Sequence, residues 1–188
     1  MEENIPKLDL QLWLDKELFQ SQNKLKAGFW DLFSQIGNEI DTAILAKIHF
    51  KSKGIKLSKG GDLLGFPYHV LDLIRDFDPD RGLNIRILNW FGQGMYLFVH
   101  FGKNHPLSYE DYFFQNSFFY ALSSSPWDYP DLILKELKTT SPTAAEMNSM
   151  KFHQYFKKIN IECQSSNPKK MILEELKNLL EFFLLKME

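Results

Sequence analysis

Leu83–Gly102 reads LNIRILNWFGQGMYLFVHFG. Two runs rich in Ile, Leu, Val, Phe, Tyr and Trp flank Gly92-Gln93-Gly94, the chain's only Gly-x-Gly. Such residues suit a pleated surface and the glycines supply the dihedrals of a tight turn, so the stretch predicts an antiparallel hairpin. Placing Phe91 opposite Gly94 pairs Asn89 with Tyr96, Ile87 with Phe98 and Ile85 with His100 on one face. The other face then carries Trp90 with Met95, Leu88 with Leu97 and Arg86 with Val99. Both faces are largely apolar, so both need a cover, whether helices, a ligand or a partner.

Working outward, residues 8–40 carry a helical period. Leu10, Leu14 and Leu18 stack beside Trp13, and Leu25, Phe29, Leu32, Phe33, Ile36 and Ile40 continue the stripe. The polar patch Gln20–Lys24 leaves open whether this stripe is one helix or two. Lys47–Lys59 is a basic connector without an acid, Gly65–Leu73 (GFPYHVLDL) predicts a strand, and Asp76–Gly82 (DFDPDRG) a loop. Beyond the hairpin, Ser108 is a natural N-cap for a helix through Gln115, and the β-formers of Ser117–Ser123 favour a strand. Phe152, Tyr155 and Phe156 mark a helical face. Asn167-Pro168 is an N-cap with a first-position proline, opening a helix to about Met187 whose apolar residues cover more than one stripe. The expected fold is α+β: one domain over residues 1–188, with an antiparallel sheet of about four strands from residues 55–123 covered by N-terminal and C-terminal helices.

Composition narrows the function. The net charge of −2 argues against a general nucleic-acid binder, because phosphate backbones demand a clear cationic excess. Cys163 is the only cysteine, which rules out an intramolecular disulfide and a four-cysteine zinc site. The acidic start MEENIPKLDL is unlike a secretion signal, and no apolar run reaches the ~18 residues of a membrane span. A reducing cytoplasm is the expected compartment, with neither membrane nor nucleic acid as partner.

Lys56-Leu-Ser-Lys-Gly60, Leu63-Leu-Gly-Phe-Pro-Tyr-His-Val-Leu-Asp72, Ile85-Arg86 with Asn89-Trp-Phe-Gly92, and Ser125-Pro-Trp127 stand out as motifs. On these motifs most of residues 54–185 resembles an uncharacterised family of bacterial proteins with no activity attached. The family pattern has a proline soon after the Leu-Asp pair, where this chain has Leu73-Ile74, so the strand is expected to run longer here. The resemblance implies a bacterial origin and supports the strands; it transfers no chemistry.

Candidate sites follow from residue types. Asp76, Asp78 and Asp80 alternate like the first half of a calcium loop, but Arg81 and Ile87 occupy the places of its glycine and bidentate glutamate, so a solvated turn is the preferred reading. Lys47, Lys51, Lys53, Lys56 and Lys59 with Gly60-Gly61 lack the order of a phosphate-binding P-loop and read as a solvated connector. The five histidines have no zinc-ligand spacing, His69 and Asp72 fall on opposite strand faces, and His105 reads as a loop residue. No nucleophile elbow accompanies a serine, and no cofactor motif is present.

The informative set is the polar residues inside strands: Asp72, Arg86 and Asn89. An Asp72–Arg86 ion pair across strands is the structural solution, since a buried charge needs a partner. The functional alternative puts Arg86 in a pocket walled by Trp90, Trp127 and Tyr68, ready to fork onto a carboxylate or phosphate. Two functions are therefore expected. The preferred one is a non-catalytic binding protein with an aromatic-lined pocket or sheet face, holding a small anionic molecule or a protein partner. The other is a small enzyme on an anionic substrate, with Arg86 as anchor and Asp72 or His100 as acid/base.

Overall fold

The computed structural model describes residues 7–106, 110–161 and 167–187. In chain order the elements are α1 (Leu10–Trp13), α2 (Lys16–Glu39), α3 (Thr42–Ile48), β1 (Lys56–Leu63), β2 (Phe66–Arg75), β3 (Leu83–Trp90) and β4 (Gly94–Gly102). They are followed by α4 (Glu110–Gln115), β5 (Phe119–Ala121), α5 (Tyr129–Leu134), β6 (Lys138–Thr139), α6 (Ala144–Ser149), β7 (Phe152–Ile159) and α7 (Pro168–Leu185). The fold is α+β with helices at both ends. Its sheet has seven strands, all pairings antiparallel, in the order β1-β2-β3-β4-β7-β5-β6, rather than the four expected.

The extra strands were hidden for identifiable reasons. The spacing of Phe152, Tyr155 and Phe156 predicts a helical face where the structure has β7. In fact it lies inside the sheet with Tyr155 and Phe156 buried on opposite faces, which erases the period-2 signal. β1 occupies the end of the lysine connector. It is an edge strand, where Lys56 and Lys59 guard against pairing with another chain.

The hairpin forms where expected, but its loop is Phe91-Gly92-Gln93 and Trp90 pairs with Gly94. Gly92 and Gly94 take φ of +82° and +112°, values that L side chains rarely adopt. This one-residue shift leaves the faces of β3 intact and exchanges those of β4. Val99 and Leu97 now oppose Ile85 and Ile87, Phe98 opposes Arg86, and His100 opposes Asn84 instead of Ile85. β2 does run on through Leu73-Ile74 to Arg75, with a bulge between Asp72 and Ile74.

One sheet face, including Leu71, Ile85, Ile87, Leu97 and Val99, packs beneath α2, α3, α4 and α7 in the main core. The other face, with Val70, Leu88, Trp90, Phe98 and Phe156, meets Tyr129 and Leu132 of α5 in a smaller core. α7 starts as expected, Asn167 accepting from the Lys170 amide. It buries one stripe (Ile172, Leu176, Leu179, Leu180, Phe183), while Leu185 and Met187 stay exposed. The N-terminal break falls at Leu14-Asp15, not Gln20–Lys24, because Asp15 caps α2 by accepting from the Leu18 amide. Only Phe33 and Ile36 of α2 are fully buried. Its first half reaches out with Leu25 exposed and Phe29 and Trp30 half-buried. The expected N-cap Ser108 and Cys163 lie outside the described residues. No described helix is long and apolar enough to cross a membrane.

Candidate functional site

Strands β2 and β3 bring together two polar pairs, one on each face of the sheet. Asp72 pairs in register with Arg86, and His69 with Asn89. The odd spacing between positions 69 and 72 sends them to opposite faces.

Asp72 and Arg86 face the smaller core and are both buried. The Arg86 guanidinium donates through Nε to Asp72 Oδ1 at 2.7 Å and through Nη2 to Oδ2 at 3.1 Å, a two-point fork. Its Nη1 donates to the Tyr129 hydroxyl. Asp72 Oδ1 also accepts from Asn84 Nδ2, which donates in addition to the Ile74 carbonyl. Trp127 lies 4.7 Å and Phe77 5.6 Å from the guanidinium carbon, roofing it with two rings. Burial opposes the arginine's charge, but Tyr129 and Asp72 more than compensate and hold its pKa above the ordinary value. Arg86 is thus engaged on its edges and on a face, and the expected cross-strand ion pair is present.

The remaining expected site residues divide. Trp127 is the roof just described. His100 shares the face, stacked on Phe152 at 4.7 Å; burial first, then Arg86 and His153, lower its pKa to about 4, so it is neutral at pH 7. Trp90 and Tyr68 do not wall the guanidinium. The Trp90 indole donates to the Leu63 carbonyl. Tyr68 lies flat over Gly60, where a side chain would begin 2.3 Å from its ring. Asp72, Arg86 and His100 therefore converge, but under an aromatic roof.

The helix-covered face is different. Lys59, His69, Asn89, Met95 and Ile159 form one transverse row across five strands, from β1 to β7. The next row inward, Leu57, Leu71, Ile87 and Leu97, is apolar until Lys157. The polar row lies where the first half of α2 leaves the sheet, and a cleft opens on each side. The first, about 670 Å³, is lined by Lys26, Trp30 and Asp31 from α2 and by Lys59, Gly60 and His69 from the sheet. Lys59 Nζ sits 5.2 Å above the Trp30 ring, and that ring meets His69 edge-on at 5.7 Å. His69 is 3% exposed, and among the described residues its Nδ1 has no hydrogen-bond partner. Burial, then Lys59 and Lys26, lower its pKa, so this floor is neutral beneath two cations.

His69 carries no local motif, and Lys59 with Gly60-Gly61, expected as a solvated connector, lines the cleft instead. The usable signal was a strand carrying polar residues on both faces. Other motifs are accounted for locally. In the acidic loop Asp76 binds His49 at 2.7 Å and accepts from the Asp78 amide, Asp78 accepts from the Asp80 and Arg81 amides, and Asp80 accepts from Asn104. Those amides hold the Asp78 pKa below its usual range. His105 is a loop residue as expected, but a buried one: burial followed by His49 lowers its pKa to about 4. Among the described residues no three His, Cys, Asp or Glu side chains are placed to hold a metal. Comparison of the chain with protein families, with curated proteins and with solved structures finds no match in any of the three.

Proposed function

We propose that this is a non-catalytic cytoplasmic binding protein that takes a small anionic molecule into the cleft between α2 and the β1–β2 edge. The observation that carries the reading is the conjunction of Lys26, Lys59 and Trp30 around the buried Nδ1 of His69, which has no hydrogen-bond partner among the described residues. Two ammonium groups raise the local anion concentration, a ring provides an apolar wall, and His69 offers a fixed hydrogen-bonding atom at the floor. Asp31, at the same rim, favours ligands that also carry a donor group. The Arg86 cluster supports this choice by contrast. Its charge already has a carboxylate, and a reaction needs titratable groups that meet in a water-accessible cleft.

Titration of inorganic phosphate, pyrophosphate and small dicarboxylates, followed by melting temperature and tryptophan fluorescence, tests the reading. At least one of these anions should raise the melting temperature in a saturable way. Lys59→Ala and Lys26→Ala should each weaken that response about tenfold or more, since each removes a charge-assisted contact of about 1.5–3 kcal/mol. A response that survives both substitutions but disappears in Arg86→Lys moves the ligand to the opposite face and ends this proposal.

A further inference from the structure

The seam of α2 runs on past the sheet that covers it. Leu18, Gln22, Leu25, Phe29, Leu32 and Ile36 alternate four- and three-residue steps, the heptad spacing of a helix that packs along one stripe. At the inner end Ile36 is buried in the main core, with Phe29 and Leu32 packed against it. At the outer end Leu25 is exposed, and so are Phe19, Leu14, Trp13, Leu12 and Leu10, with Trp13 and Leu14 at 69% and 70%. These six residues leave roughly 800 Å² open to water, above the about 300–600 Å² of a monomer's largest apolar patch and comparable to one partner's share of a standard interface.

The charges beside the stripe say what fits it. At about 100° per residue, Glu17 and Lys24 fall on one flank and Asp15 and Lys26 on the other. Both pairs are centred between positions 20 and 21. Antiparallel helices related by a two-fold axis at that point set Glu17 against the partner's Lys24 and Asp15 against the partner's Lys26, each contact made twice. Gly28 is a further clue. It lies inside α2, where glycine is a poor helix former, and a side chain there would meet nothing within 4 Å. The same axis carries Trp13 towards the partner's Gly28, whose missing side chain leaves room for the ring. A bilayer fits less well, because residues 7–30 hold four lysines against three acids, short of the basic face that anionic lipid demands.

We infer that two copies of this chain pair through α1 and the outer half of α2, antiparallel about a two-fold axis between positions 20 and 21. Their exposed leucines and Trp13 cover one another, and the acidic end of each helix lies along the basic middle of the other.

Light scattering and sedimentation equilibrium of the whole chain test this. Its mass should rise with concentration from 22.1 kDa to twice that value, and Leu14→Asp should hold it at 22.1 kDa. Glu17→Lys and Lys24→Glu, both at exposed positions off the anion cleft, should each weaken the dimer about tenfold, since each turns two attractive contacts repulsive. The two reversals in one chain should restore it. Gly28→Gln should also weaken pairing about tenfold, while the better helix former keeps or raises the melting temperature of the monomer. A chain that stays at 22.1 kDa at every concentration overturns the inference, whether it is free or floats with anionic lipid vesicles. A dimer that ignores Leu14→Asp, or a double reversal no tighter than either single one, overturns it as well. None of these readouts involves Lys59 or phosphate, so the anion cleft stands or falls separately.

Discussion

Asp72–Arg86 and His69–Asn89 are both cross-strand pairs on β2 and β3, yet they solve burial in opposite ways. The first pair is closed: the guanidinium has Asp72 and Tyr129 at its edges and two rings against it, and Asp72 is further held by Asn84. The second is open, with His69 Nδ1 and Asn89 Nδ2 both buried and both without hydrogen-bond partners among the described residues. A polar group that the fold already satisfies contributes to stability. One that the fold buries and leaves unsatisfied costs stability, and that cost is met by water, by a bound ligand or by the rest of the fold. The difference separates a face whose polar groups are satisfied within the fold from the face on which the proposed binding rests.

The sharpest way to break this contrast is at Arg86. Arg86→Met leaves Asp72 as a buried unpaired carboxylate and should cost about 3–5 kcal/mol in urea unfolding. Asp72→Leu in the same chain should recover much of that loss, because the two charges are needed for each other. A single mutant as stable as the parent would show that the fold does not depend on the pair, and the closed face would lose its structural reading.

Acidification should reach the closed face next. His100 on that face, and His105 against Phe101 on the helix-covered side, are each lowered from 6.5 to about 4 in the folded protein. The unfolded chain therefore binds protons that the folded chain refuses, and stability falls as pH drops from about 6.5 towards 4. The loss approaches roughly 3 kcal/mol for each residue once pH is below both values. Unfolding midpoints at pH 7.5 and pH 4.5 should differ accordingly, and His100→Phe should flatten part of the slope. An unchanged slope in that variant would mean that His100 is not buried neutral beside Arg86.

The smallest effects give the finest comparison, because β3 carries an asparagine on each face. Asn84 donates to Asp72 and to the Ile74 carbonyl, so Asn84→Leu should destabilise by about 1–3 kcal/mol. Asn89→Leu removes an unpaired donor and should be neutral or stabilising by up to ~1 kcal/mol. Equal losses at the two positions would place a structural partner at Asn89 and erase the difference between the faces.

The amino-acid sequence by itself determined the hairpin, the turn at Gly92–Gly94, the C-terminal helix with its Asn167-Pro168 start, and the need for Arg86 to find Asp72. These rest on local signals: β-formers on both sides of glycine, a cap followed by proline, and the cost of an unpaired charge inside a strand. Tertiary structure alone decided the rest. A loop one residue longer than assumed moved His100 from the Ile85 side to the face of Arg86. Burial on both faces disguised β7 as a helical face, since a central strand need not alternate. The transverse row of Lys59, His69 and Asn89 draws one residue from each of three strands. No local pattern encodes it, because cross-strand register and the placement of α2 arise only when the sheet assembles.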